Sequence, residues 1–105
     1  MLINNLIYIN KGPKKIGCFN KVIEIPCLPT LGTEIFFSGT GWGFTVDKIT
    51  YSESNSIFTL HYIVNIEKEM ERKEQHISDL FIPDMLINKM GFTIEWIEEE
   101  LEGNN

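Results

Sequence analysis

The sequence has few cysteines, no long apolar run and no apparent leader segment. Only two of its 105 residues are cysteines, Cys18 and Cys27, and their spacing matches no common metal-binding or redox motif. We expect a reduced pair, with a bridge between adjacent strands as the alternative. No apolar stretch reaches the roughly 20 residues of a membrane-spanning helix, and the start lacks a basic leader and a cleavage site. The sequence therefore predicts a soluble, cytoplasmic protein without a membrane segment.

Positive charge is also scarce. The chain has nine basic and 15 acidic residues, which gives a net charge of −6. Only Lys11, Lys14 and Lys15 form a basic group, and three lysines make a weak patch. Because phosphate-backbone binding depends on clustered positive charge, we expect no direct nucleic-acid binding.

The remaining composition is that of a folded domain. Hydrophobic residues make up 43% of the chain and aromatic residues 11%, which is enough for a packed core. The length favours one domain, which we place at residues 1–97. Residues 98–105 contain four glutamates and predict an acidic, frayed tail.

The first third of the chain predicts two strands. The β-branched run from Leu2 to Asn10 suits a strand near the centre of a sheet. Lys14 to Asn20 has no clear pattern, and Lys21 to Ile25 predicts a short second strand that Pro26 closes. Residues 26–29 then form an extended connector.

Thr33 to Asn65 predicts a three-stranded meander. A glycine-rich segment, Gly39 to Gly43, indicates a hairpin turn, and the stretch from Phe58 to Asn65 alternates cleanly between apolar and polar residues. In the middle strand, Phe44 and Val46 are out of phase with Ile49 and Tyr51. A β-bulge at Asp47-Lys48 would restore one buried face.

The last third mixes helix and strand signals. Residues 66–77 are dense in charge and predict either a short exposed helix or a mobile excursion, with Asn65 as a helix cap. Pro83 suits the start of a helix that runs to Met90, with Gly91 just past its end. Residues 92–97 favour a final strand, although a helix face is the alternative.

These elements predict an α+β fold. We expect a small, strongly bent, mainly antiparallel sheet of five or six strands, with one or two short C-terminal helices. The stretch from Val22 to Asn65 is loosely similar to SH3-like or partly open barrels. That likeness involves no specific motif, and it implies no binding residues.

The candidate binding site is the tip of the predicted hairpin, Thr40-Gly41-Trp42-Gly43-Phe44. An aromatic ring displayed on a glycine-rich turn can anchor a partner or stack on a ligand ring. The alternative is that Trp42 folds inward and covers one end of the sheet. The segment lacks the Lys-Ser/Thr of a phosphate-binding loop, so it is a very weak nucleotide signature.

No catalytic, metal or cofactor motif stands out. His61, His76, Cys18 and Cys27 could form a zinc site on paper, but their spacing fits no usual ligand pattern. A Cys–His nucleophile from the same residues has no better support. We therefore expect neither an enzyme nor a bound cofactor.

Three functional hypotheses follow. The first is a small, acidic protein-interaction module, such as a phage or mobile-element inhibitor or accessory protein that acts on an intracellular protein. The second is a small-ligand binder, with a nucleotide-like ligand at Gly39 to Gly43. The third is a homo-oligomeric structural subunit joined through a sheet edge.

Overall fold

A computed structural model describes residues 1–98. Its elements in chain order are β1 (Leu2–Lys11), β2 (Lys14–Glu24), β3 (Glu34–Phe36), β4 (Gly43–Thr45), β5 (Lys48–Ser52), β6 (Ile57–Asn65), α1 (Ile66–Lys73), α2 (Phe81–Asn88) and β7 (Thr93–Ile97). Five strands form one sheet in the order β5-β6-β1-β2-β7, and β3 pairs with β4 in a separate two-stranded sheet.

Strand β1 occupies the middle of the large sheet, which confirms the prediction that the N-terminal strand is central. It pairs in parallel with β6 and antiparallel with β2. Ile3, Ile7 and Ile9 point to one face and are fully buried. The second strand is longer than predicted, because residues 14–20 pair with β1 as well. Gly12 turns the hairpin with a φ of 59°, a conformation that glycine adopts without strain.

The predicted three-stranded meander is wrong in its middle strand. The hairpins β3–β4 and β5–β6 both form, but they belong to different sheets. The chain leaves the small sheet at Val46, whose N–H donates to the carbonyl of Thr33, and Asp47 then bonds to His61 on β6. Since the strand is broken at this point, no bulge at Asp47-Lys48 is needed. Strands β4 and β5 therefore direct their apolar side chains independently of each other, and Tyr51 on β5 remains 55% exposed.

Both C-terminal helices form. The charged segment is helical as α1, and the side chain of Asn65 accepts a hydrogen bond from the N–H of Lys68 at its start. Helix α2 begins at Phe81, two residues before the predicted Pro83. Gly91 follows with a φ of 77°, and the N–H of Phe92 donates back to the carbonyl of Leu86. The final strand is confirmed as β7, at an edge of the large sheet.

The helices and the small sheet cover one face of the large sheet. The core between them contains residues from both sheets and both helices, among them Phe19, Phe44, Tyr62, Ile66 and Leu86. The fold is thus α+β, with a mainly antiparallel five-stranded sheet that does not close into a barrel within residues 1–98.

The opposite face, which we call the outer face, is open in the part of the chain that the structure describes. Cross-strand pairing places Leu2, Val22, Ile63 and Trp96 on it, and these four side chains are 40–61% exposed. The single domain at residues 1–97 stays a prediction. The predicted tail, except for Glu98, lies outside the described residues. Across residues 1–98, neither helix has the length and apolar character needed to span a membrane.

Candidate functional site

The glycine-rich loop lies against the C-terminal end of α2. Gly39 has a φ of 107°, and a Cβ at this position would be 1.9 Å from the carbonyl oxygen of Lys89. No other residue type fits this approach without a shift of the backbone. The hydroxyl of Thr40 accepts a hydrogen bond from the N–H of Trp42 and tightens the turn. The loop is therefore fitted to the helix end.

Trp42 is folded inward, which is the alternative that the sequence left open, and its ring is not displayed at the tip of the loop. Only 8% of the residue is exposed. Its ring lies 5.5 Å from the ring of Phe81 on α2, and the ammonium of Lys73 sits 4.4 Å above it. The indole nitrogen is shielded from water and has no hydrogen-bond partner among residues 1–98. Such a donor costs about 1–3 kcal/mol, which the ring's packing must offset.

Two of the other predicted site residues belong to the folded framework. Gly43 lies in β4, where a Cβ would come within 2.7 Å of the Phe36 ring. Phe44 is 3% exposed and packs near Phe37 in the core. Gly41, in contrast, is exposed and has open space around it. Of the five predicted residues, Thr40 and Trp42 line one surface cavity, and Gly43 and Phe44 line another.

The cavity lined by Thr40 and Trp42 is an open groove of about 610 Å³ between the loop and α2, and we call it the loop–α2 groove. Its apolar lining comes mainly from Trp42, Phe81 and Met85. Phe81 is 42% exposed despite its contact with Trp42, so part of an aromatic ring faces the open space. The complete lining is Gly39, Thr40, Trp42, Ser78, Phe81, Asp84, Met85, Asn88 and Lys89.

The polar rim of the groove is unpaired within the protein. Across residues 1–98, the side chains of Ser78, Asp84, Asn88 and Lys89 make no hydrogen bond or ion pair with another residue. All four residues are exposed. They are consequently available to a ligand without breaking an internal contact.

A second cavity, of about 350 Å³, lies beside β4 and is lined by charged groups. Here three of the four charged side chains already make contacts within the fold, and Glu34 is the exception among residues 1–98. Asp47 accepts a hydrogen bond of 2.7 Å from the N–H of Ile63, and Glu69 forms an ion pair of 2.8 Å with Arg72. This cavity offers fewer unpaired polar groups than the loop–α2 groove.

His61 lies on the outer face in a short hydrogen-bonded chain. Its Nε2 is 2.8 Å from the hydroxyl of Thr50, and its Nδ1 is 3.3 Å from the hydroxyl of Tyr8. Burial, and secondarily the charge of Lys48, lowers the pKa of His61. Burial first, and then the charges of Cys18 and Glu95, raises the pKa of Tyr8. These two hydrogen bonds hold the imidazole of His61 in place on the sheet.

The cysteines and histidines do not form the metal site considered from sequence. Cys18 is buried in β2 and Cys27 is exposed, and both are free thiols. Burial is the main cause that raises the pKa of Cys18, which favours the unreactive thiol. Within residues 1–98, no three His, Cys, Asp or Glu side chains are grouped to hold a metal ion.

Sequence reasoning missed the contribution of α2 to the groove. Phe81, Met85 and Asn88 follow one another at helical spacing, and together with Asp84 they occupy one face of the helix. Ile82 and Leu86 occupy the opposite, buried face. The available signal was Phe81 at the start of the helix, because it lies outside the apolar face that Ile82 and Leu86 form toward the core.

Comparison with known proteins found no matching protein-family model, no similar curated protein and no similar solved structure.

Proposed function

We propose that the protein is a small, non-catalytic binding protein that holds a small ligand in the loop–α2 groove. The carrying observation is the groove itself, which combines apolar walls with an unpaired polar rim. Small-molecule sites have this composition, and their volumes run from about 300 to 1,000 Å³. A volume of about 610 Å³ lies within that range.

We propose binding and not catalysis because, within residues 1–98, the groove holds no hydrogen-bonded pair of nucleophile and base. Ser78 is the hydroxyl group on the rim, and its side chain has no hydrogen bond to a base within residues 1–98. His61 is engaged with Thr50 and Tyr8 on the other side of the large sheet. A nucleophile needs a base within hydrogen-bond reach, and the groove does not pair them.

Thermal-shift screening against nucleotides and metabolites tests this proposal. A ligand that binds the folded state raises the melting temperature with concentration. Asn88→Trp, which places a bulky ring in the groove, should abolish the shift. Ser54→Trp adds the same ring to an exposed turn between β5 and β6 and should leave it unchanged. A broad panel without any shift, or equal shifts in both variants, contradicts the proposal.

A second candidate is a protein-interaction module, and the outer face favours it. On one side of the sheet, Leu2 and Val22 are exposed near one end of β1, and Ile63 and Trp96 are exposed near the other end. Exposed apolar side chains of this kind can anchor a protein partner. On this proposal the protein acts in the cytoplasm as an inhibitor or accessory factor, including one of phage or mobile-element type. The strong bend of the sheet and the likeness to SH3-like barrels stay predictions and add no binding residues.

Ile63→Lys separates this candidate from the first one. It introduces charge at a 59% exposed position and should abolish capture of a protein partner. Leu31→Lys, at a 63% exposed loop position, is the matched control. Light scattering on the purified protein shows whether the partner is a second copy, as the homo-oligomer hypothesis requires. Capture that is equal in both variants contradicts a role for the outer face.

A further inference from the structure

We propose that the loop–α2 groove binds a planar heteroaromatic ring with an exocyclic amino group, as in adenine or cytosine. Asp84 is the acceptor for that amino group. The inference rests on the proposed small-ligand function and names the class of ligand.

The exposed face of Phe81 in the groove suits a flat ring. Trp42 and Phe81 lie with their ring centres 5.5 Å apart and their planes tilted by 49°, and Met85 adds a polarisable thioether beside them. The ammonium of Lys73 lies 4.4 Å from the centre of the Trp42 ring. The exposed part of Phe81 is the surface left for a ligand. Every nucleobase has an apolar π-face that can stack on such an aromatic side chain.

The polar side chains of the rim can form hydrogen bonds with the edge of the ligand ring. Asp84 and Asn88 are four residues apart on an eight-residue helix, so they project from the same face of α2. An ionised carboxylate only accepts hydrogen bonds, whereas an amide both donates and accepts. This pair matches an amino group next to a ring nitrogen, and it disfavours a carbonyl oxygen placed against Asp84.

The negative charge of the chain argues against a polynucleotide ligand, so the inference is made for a base or a nucleoside. The cationic groups at the groove are Lys89 on the rim and Lys73 behind Trp42. The loop lacks the Lys-Ser/Thr that completes a phosphate-binding loop, and the whole chain carries a net charge of −6. A polynucleotide would be repelled by this charge.

Calorimetric titration with three nucleosides tests the inference. Adenosine has the amino group, inosine has a carbonyl in its place, and purine riboside has only hydrogen there. We expect adenosine to bind at least tenfold more tightly than either analogue. Cytidine should exceed uridine for the same reason. Equal affinity within both sets overturns the amino-group inference while leaving groove binding intact.

Asp84→Asn provides the residue-specific test. The amide can donate to a carbonyl, so the variant should lose the preference for adenosine over inosine. Glu53→Gln, an equal loss of charge in the exposed β5–β6 turn, should keep it. Circular dichroism verifies that both variants fold, which is expected because Asp84 is exposed. An unchanged preference in Asp84→Asn, or no nucleoside binding by the wild type, overturns the inference; the broad ligand panel decides the proposed function separately.

Discussion

At the scale of single residues, Gly39 is the glycine at which an added side chain would meet the closest backbone contact. We predict that Gly39→Ala lowers the free energy of unfolding by about 3 kcal/mol or more, because positive-φ strain adds to a clash with the Lys89 carbonyl. Gly41→Ala is the matched control, since open space surrounds it, and its effect should stay within about 0.5 kcal/mol. Urea denaturation measures both. Equal stability of the two variants would show that the loop does not seat on α2.

Tyr62 and Asn5 form a buried polar pair in the core. Asn5 has no exposed surface, and its side-chain oxygen accepts a hydrogen bond from the hydroxyl of Tyr62. Tyr62→Phe leaves that oxygen without a partner, so we predict a loss of about 1–3 kcal/mol in unfolding free energy. Urea denaturation at neutral pH tests this value. A neutral effect would mean that the Asn5 oxygen finds another donor.

Tyr62 also predicts a response to alkaline pH. Burial raises the pKa of Tyr62 far above its ordinary value, so the folded state holds the phenol proton more tightly than the unfolded state. The associated stability is present below about pH 10 and is lost as pH rises above it. We expect wild type to lose more stability between pH 9 and pH 11 than Tyr62→Phe. Tyr8 contributes in the same direction in both proteins, and parallel curves would contradict the prediction.

His61 predicts the opposite response in acid. Burial lowers its pKa in the folded state, so the unfolded state binds the proton more readily. Stability from the neutral imidazole is present above about pH 6.5 and falls as pH drops through the folded-state pKa. Nuclear magnetic resonance should show a His61 midpoint below 6.5, and His61→Gln should flatten the loss of stability toward pH 5. A midpoint above 6.5 is the contrary result.

At the scale of elements, α1 depends on the residue that caps its start, Asn65. The Asn65 side chain accepts from the N–H of Lys68 at 3.3 Å, and three of the helix's eight residues are glutamates. Asn65→Ala should cost about 1 kcal/mol of stability, whereas Asn65→Asp keeps an acceptor and should cost less. Thermal melts followed by circular dichroism compare them. Identical melts for both variants would show that α1 is held by packing alone.

Local pattern was enough to predict several elements. The alternation in β6, the apolar run of β1 and the positive-φ position at Gly91 each express a local rule that the fold obeys. The break at Val46 was not predictable, because Phe44 and Ile49 are apolar whichever sheet they join. For Trp42, the deciding contact is with Phe81, far along the chain. The groove likewise exists only once the loop and α2 meet.

At the scale of the whole molecule, the order of the strands predicts a gradient of local stability. Strand β1 is hydrogen-bonded on both sides and fully buried on one face, whereas β5 and β7 are edges of the sheet. Amides in β1 should therefore exchange with solvent only on global unfolding, and those along the free side of β7 should exchange faster. Hydrogen exchange followed by mass spectrometry tests this order. Equal protection of β1 and β7 would contradict it.

The parallel pairing of β1 with β6 joins Ile3 to Phe58, which are 55 positions apart. On the ribosome, β1 and β2 emerge early and can form their hairpin, while the other side of β1 has no partner until β6 has been made. Closing so long a loop is entropically costly and slows folding. During synthesis β1 therefore keeps one unpaired edge until β6 has been made, and such an edge exposes a nascent chain to aggregation, which chaperones counter.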